Sequence, residues 1–554
     1  MKDSFNITPM SYDENGIPVW KSMLSPESMT DRALVLAPPN KVIPILFVPG
    51  IMGSNIKVVD TGKTNGQSIA WRPDGAGLSD LRRSASERQT LLDPTNTEVD
   101  TAVTFKKKTV VIPLSGMSLD ATEKRGWGSV MWGSYGEILH YLELNANSAC
   151  FWEPALKKVV SSAVWQPLIE KGLITNGAAY KLQQPELEHL SQFWFPVHAV
   201  GYNWLQSNEV SGIYLAKKIS ETITFYQKQF KSKDACQKVI LLTHSMGGLV
   251  ARAAVHPEMG KAKESVLGIV HGVMPAIGAA STYKRMRSGF GPQSIFTKEG
   301  QTNGVLGENG KEVTAVLGHS PGGLQLLPNK EYLPNGWLKV EGLTSKPYVI
   351  ATSGNPYSSI YIEKDKWWRL VNSSWLDPAS KFASGRKADA WDSYAAALTS
   401  AEKFHDSLAG QYHANSYVFY GLDKEKKYLA YGDVFWKSNG RGPVERFEKK
   451  GTPTTSNESL LQNGLTPTNW DDSVGGTATD FGNKFITLKL ADPRDPGDGT
   501  VPAISGAAKS TSGNIKLECG IANIDHQGAY APANTEAIKF VLYSICKIAQ
   551  ELKV

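Results

Sequence analysis

The run Val239-Ile240-Leu241-Leu242 enters Thr243-His244-Ser245-Met246-Gly247-Gly248, and Leu249 to Val255 follows with helix-forming character until Pro257. Few local patterns constrain a fold this tightly, because they combine a buried strand, a sharp turn carrying a serine, and a helix. Such a turn forces the serine into a strained backbone, so the residues two before and two after it must be small. Gly247 meets that demand, while Thr243 stands where glycine is usual. A rival string, Gly318-His319-Ser320-Pro321-Gly322, carries both glycines. However, the residue after a nucleophile must offer its backbone N–H to an oxyanion, and Pro321 has none whereas Met246 has one. Losing one such donor costs on the order of 3 kcal/mol of transition-state stabilisation. Pro321 and the two glycines behind it also make a poor helix start. Ser245 is therefore the expected nucleophile, and Ser320 is expected in a turn of a cap.

Other apolar runs have the character of buried parallel strands. Pro44-Ile45-Leu46-Phe47-Val48 closes in Pro49-Gly50. Phe195 to Val200, Val266 to Val270, Tyr348 to Ala351, Tyr417 to Tyr420, Phe485 to Leu490 and Ile515 to Leu517 can supply further strands. Helical spacing lies between several of them. Ser211 to Phe230 carries Ile213, Leu215, Ile219, Ile223 and Phe225, and Asn534 to Leu552 reads as a closing helix. With the serine turn, this alternation predicts an α/β-hydrolase fold: a mostly parallel central sheet flanked by helices, with large cap or lid insertions. Residues 1–40 read as an N-terminal extension and 41–273 as the first part of the core, with an insertion at about 60–130. A cap insertion follows at 274–345, then core at 346–372. A second cap insertion at 373–482 includes a core strand near 416–421, and 483–554 form the last part of the core.

A serine hydroxyl is a weak nucleophile until a base takes its proton, and a carboxylate must hold that base in the right tautomer. In this fold the chain order is Ser, acid, His. Asp498 stands in Arg494-Asp495-Pro496-Gly497-Asp498-Gly499-Thr500-Val501-Pro502, just past the Phe485 to Leu490 run, with Asp492 and Asp495 as its rivals. Of the ten histidines, only His526 in Ile524-Asp525-His526-Gln527-Gly528 follows Asp498. The N–H of Ile51 or Met52, in Gly50-Ile51-Met52-Gly53-Ser54, is expected to join that of Met246 in an oxyanion hole. His244 and His271 sit at strand ends and are expected to pack or hydrogen-bond. Trp367, Trp368 and Trp375 suit either an aromatic surface that meets lipid or the core of a cap. The three aspartates lack the spacing of a calcium loop, so neither metal nor cofactor is expected.

Charged residues make up 20% of the chain and hydrophobic ones 41%, which is the balance of a folded globular protein. A net charge of +6 over 554 residues is mild, and no basic run exceeds Lys106-Lys107-Lys108, so nucleic acid is not an expected partner. The four cysteines lie far apart without metal-ligand spacing, leaving room for one long-range disulfide. Met1 to Trp20 is polar and lacks a basic start followed by an apolar stretch, and no apolar run is long enough to span a bilayer. The chain is thus expected to be made in the cytoplasm without a signal peptide.

With these residues in place, the chain resembles the lipases related to lecithin:cholesterol acyltransferase and the GPI-inositol deacylases. It shares with them Phe47-Val48-Pro49-Gly50-Ile51-Met52-Gly53-Ser54, the serine turn, and Gly497-Asp498-Gly499-Thr500-Val501. More narrowly, three segments look like the type VI secretion lipase effectors of the fourth family. They are Val270-His271-Gly272-Val273-Met274-Pro275-Ala276-Ile277-Gly278-Ala279, Tyr283-Lys284-Arg285-Met286 and Gly322-Gly323-Leu324-Gln325-Leu326-Leu327-Pro328-Asn329. That resemblance implies phospholipase activity on a rival bacterium's membrane and delivery by a contractile machine into the target periplasm. It also implies a secretion spike protein and a cognate immunity protein as partners. An intracellular esterase or acyltransferase would use the same triad, and a binding module without chemistry would use the same fold.

Overall fold

In a computed structural model, the described residues are 5–7, 11–19, 32–34, 39–59, 69–75, 83–105, 108–153, 156–291, 306–342, 346–350, 354–382, 389–423, 427–438, 472–480, 485–507 and 514–553. Parts of the stretches 1–40, 60–130, 274–345 and 373–482, with Lys106 and Lys107, lie outside them.

Six strands build one sheet: β1 (Ile45–Val48), β2 (Val197–Ala199), β3 (Val239–His244), β4 (Val266–Gly272), β5 (Ser416–Gly421) and β6 (Ile515–Ile521). Their spatial order is β2-β1-β3-β4-β5-β6, and every neighbouring pair is parallel. Successive side chains of a strand point to opposite faces. Accordingly Leu46, Val48, Leu241 and Ile269 enter one hydrophobic cluster, while Ile45, Phe47, Ile240, Leu242 and Val270 enter the other. Both faces being covered is why β1, β3 and β4 are buried along their whole length and read as largely apolar runs, whereas the edge strand β6 alternates.

The covering helices are α1 (Trp132–Asn145), α2 (Asn208–Gln229), α3 (Gly247–Val255), α4 (Ala280–Ser288) and α5 (Thr535–Ala549). Leu215 and Ile219 of α2 and Leu249 and Val250 of α3 pack on the first face. Ile138 and Leu139 of α1 and Phe540, Val541 and Ile545 of α5 pack on the second. Along α2 the buried stripe is Leu215, Ile219 and Tyr226, whereas Ile213 is 49% exposed and belongs to the outer face. This is the α/β-hydrolase architecture expected from the sequence, a parallel sheet between two helical layers.

A second, five-stranded sheet runs in the order Tyr348–Val349, Leu338–Glu341, Val434–Ser438, Phe485–Leu490, Gly476–Asp480. The runs at Tyr348 and at Phe485 to Leu490, expected in the parallel sheet, pair here instead; Ala351 lies outside the described residues. Each finds an antiparallel neighbour close in sequence, Leu338–Glu341 and Gly476–Asp480 respectively. Closing a short loop costs less entropy than threading a run into a distant parallel slot.

The tryptophans expected as either lipid surface or cap core are core: Trp367, Trp368 and Trp375 are all buried. Trp367 meets Trp436 edge-on at 5.9 Å. Beside them the buried Arg287 pairs with Asp472 at 3.0 Å and donates to the carbonyls of Trp367 and Arg369. All four cysteines are free, so no disulfide forms. Among the described residues no helix is long and apolar enough to cross a membrane.

Candidate active site

Strand β3 delivers Ser245 to the C-terminal edge of the sheet, and α3 begins two residues later. Ser245 has φ 52°, a left-handed conformation that a non-glycine residue holds only when its surroundings fix it. Its N–H is tied to the Gly272 carbonyl at the end of β4, 2.9 Å away. A Cβ on Gly247 would lie 2.5 Å from both the Val48 and Pro49 carbonyl oxygens, so the close approach of α3 to β1 excludes any side chain there. Thr243 is tolerated two residues before the serine because its hydroxyl faces β4, 3.4 Å from the Val270 carbonyl oxygen and 3.2 Å from His271 Nδ1.

The structure brings Ser245, His526 and Asp498 together. His526 Nε2 is 2.8 Å from Ser245 Oγ, and its Nδ1 is 2.8 Å from Asp498 Oδ2. The other carboxylate oxygen of Asp498 accepts the N–H groups of Thr500 and Val501 at 2.9 and 2.7 Å, and its carbonyl accepts that of His526 at 2.9 Å. The rival Asp495 is spent elsewhere, accepting from the N–H groups of Gly432 and Asp433. With Ser245 and Asp498 buried, solvent reaches this chain mainly over the half-buried His526.

A second hydrogen-bond chain supports the first. The His526 carbonyl can only accept, so the 2.7 Å contact from His244 Nε2 puts the ring proton on that nitrogen. His244 Nδ1 is then the acceptor for the Tyr135 hydroxyl at 3.0 Å, and the same hydroxyl oxygen accepts the Gly50 N–H at 3.3 Å. Burial, and next the neighbouring His526 ring, lower the His244 pKa to about 3. His244 is therefore neutral at physiological pH and acts as a fixed link from β1's loop to the backbone of His526. Nothing in the sequence marks Tyr135 for this place, since its partner lies 109 residues downstream. Burial likewise lowers His271 to about 3, keeping it an uncharged packing residue under the turn.

Beyond β1 the chain makes a tight turn closed by the Gly53 N–H on the Gly50 carbonyl at 3.0 Å, with Met52 at φ 62°. Among the described residues no protein acceptor takes the N–H of Ile51, Met52 or Met246. Ile51, Met52 and Ser245 line one cavity of about 390 Å³, whose other walls include Met131, Arg285, Phe290 and Tyr428. Ser320 lies elsewhere and is fully buried. Its Oγ donates to the Leu205 carbonyl at 2.8 Å and caps the one-turn helix Pro321–Leu324 through the Gly323 N–H. The helix that Pro321 starts is a single turn of four residues, with the proline at the first helical position, where its missing N–H forfeits no hydrogen bond.

A model of the PGAP1-like alpha/beta domain family matches residues 199–287, from the end of β2 into α4. Among solved structures, the crystal structure of a Tle4–Tli4 complex matches with a TM-score of 0.71 and 28% identity, over 92% of this chain and 99% of that one. No curated protein matches the chain. The resemblance read in the sequence thus runs through 92% of the chain, which has an α/β-hydrolase fold similar to that of Tle4.

Proposed function

We propose that the protein is a serine hydrolase that cleaves acyl esters of glycerophospholipids and acts as an antibacterial type VI secretion effector. The observation that carries the chemistry is the unbroken chain of 2.8 Å contacts from Ser245 Oγ through His526 to Asp498 at the wall of the cavity. Ser245 Oγ attacks the ester carbonyl carbon while His526 Nε2 takes its proton and Asp498 steadies the resulting imidazolium. The N–H of Met246, with that of Ile51 or Met52, receives the negative charge on the tetrahedral oxygen. Collapse breaks the carbon–oxygen bond to glycerol, which leaves with the proton from His526. Water, deprotonated by His526, then frees the fatty acid from the acyl-serine and restores the Ser245 hydroxyl.

Similarity to Tle4 supports secretion by a type VI system, and delivery through a spike protein into a target periplasm is part of the same proposal. Because Tle4 was crystallised with Tli4, a cognate immunity protein is proposed as the partner of this chain.

Vesicles of phosphatidylethanolamine and phosphatidylglycerol test the chemistry. Wild-type protein should release fatty acid and lysophospholipid, and Ser245→Ala should release neither. Full activity of the alanine variant would refute the mechanism, and acylated alcohol in place of free acid would make the enzyme an acyltransferase. For the toxin role, expression in a susceptible bacterium with a periplasmic export signal should arrest growth. Harmlessness both with and without that signal would sink it.

A further inference from the structure

The cavity at Ser245 has one wall that the proposed triad chemistry leaves unexplained. Ser281, Thr282 and Arg285 of α4 all line it, a spacing that sets them on one side of the helix. Among the described residues, Arg285 is the sole lysine or arginine on the lining, where the carboxylates are Asp498 and Asp525.

Arg285 is held in register with the triad acid. Its Nη2 donates to Thr500 Oγ1 at 3.0 Å, and its guanidinium carbon lies 4.9 Å from the centre of the Phe290 ring. Thr500 in turn gives its N–H to Asp498, and its carbonyl accepts the Ser281 hydroxyl at 2.8 Å. The loop that aims the carboxylate at His526 is therefore fastened to the helix that carries the cation. A guanidinium is planar and weakly hydrated, and it matches phosphate oxygens with parallel donors, so a half-buried one on a cavity wall suits an anionic ligand.

We propose that Arg285 forms an anion subsite that takes the phosphodiester of a glycerophospholipid while an acyl ester of the same molecule lies at Ser245. This rests on the serine-hydrolase reading above. The phosphorus of such a lipid is a few covalent bonds from its ester carbonyls, so one cavity serves both groups, and a neutral ester gains nothing from the cation.

The test compares two soluble esters, so that no lipid interface intervenes: dihexanoylphosphatidylcholine below its micelle concentration and p-nitrophenyl butyrate. The readout is the ratio of kcat/KM for the phospholipid to that for the butyrate. Losing a charge-assisted phosphate contact should lower this ratio about 10- to 100-fold in Arg285→Gln. Arg285→Lys keeps the charge but not the fork, and should fall in between. An unchanged ratio in Arg285→Gln overturns the proposal, whether both activities drop together or neither drops. Wild-type protein that hydrolyses the butyrate but not the phospholipid overturns the proposal and the phospholipid substrate, while the serine-hydrolase chemistry stands. Wild-type protein that hydrolyses neither overturns the serine-hydrolase reading and the proposal with it.

Discussion

Replacing His244 by phenylalanine tests the buried link between Gly50 and His526. The substitution keeps a ring of similar size but removes the 2.7 Å bond to the His526 carbonyl and the 3.0 Å bond from Tyr135. A carbonyl and a hydroxyl are left buried without those partners, at about 1–3 kcal/mol each, so global stability should fall by about 2–6 kcal/mol. The loss should also depend on pH. Native His244 titrates near 3 because it is buried, whereas a histidine in the unfolded chain titrates near 6.5. Between these values the unfolded chain binds a proton that the native protein refuses, so this residue's contribution declines as pH falls below about 6.5. At about 1.4 kcal/mol per pH unit, it is smaller by about 2 kcal/mol at pH 5 than at pH 7. His271 and His405 are buried neutral in the same way but are common to both proteins and cancel. Urea unfolding followed by tryptophan fluorescence should thus show the wild-type advantage over His244→Phe shrinking by about 2 kcal/mol from pH 7 to pH 5. A gap that stays constant across that range would refute the assignment of His244 as a buried neutral link.

Asp498→Asn should lower kcat about 10³- to 10⁴-fold with little change in KM, since the amide favours the wrong tautomer of His526; steady-state kinetics at pH 7 read it directly. Ser320→Ala should leave ester hydrolysis intact and cost about 1 kcal/mol as a lost helix cap, measured by thermal unfolding. Loss of turnover there would point to Ser320 instead. Gly247→Ala should cost about 1–3 kcal/mol and depress kcat, because its Cβ meets the Val48 and Pro49 carbonyls at 2.5 Å. A variant as stable and as fast as wild type would mean that α3 and β1 do not approach as described.

What the sequence by itself determined is local. The β3–turn–α3 pattern announced the serine and its strained backbone, because strand run, small residue and helix follow one another within a few turns of chain. Apolar runs located all six parallel strands, most plainly β1, β3 and β4, which are buried along their whole length. The order of Asp498 and His526 after Ser245 was readable for the same reason: topology imposes it on the chain.

Only the tertiary structure decided what depends on distant partners. Pairing put the runs at Tyr348 and Phe485 in a second sheet, a choice that apolar character does not encode. Packing turned Trp367, Trp368 and Trp375 inward, although exposed aromatic residues have the same letters. The link through Tyr135 and His244 to His526 spans separations of 109 and 282 residues. Likewise Arg285 meets Thr500 215 residues away in the chain. Periodicity reports how one element faces its surroundings. It carries no record of which side chain stands opposite, and that opposition is what gives the cavity its charge and its tautomers.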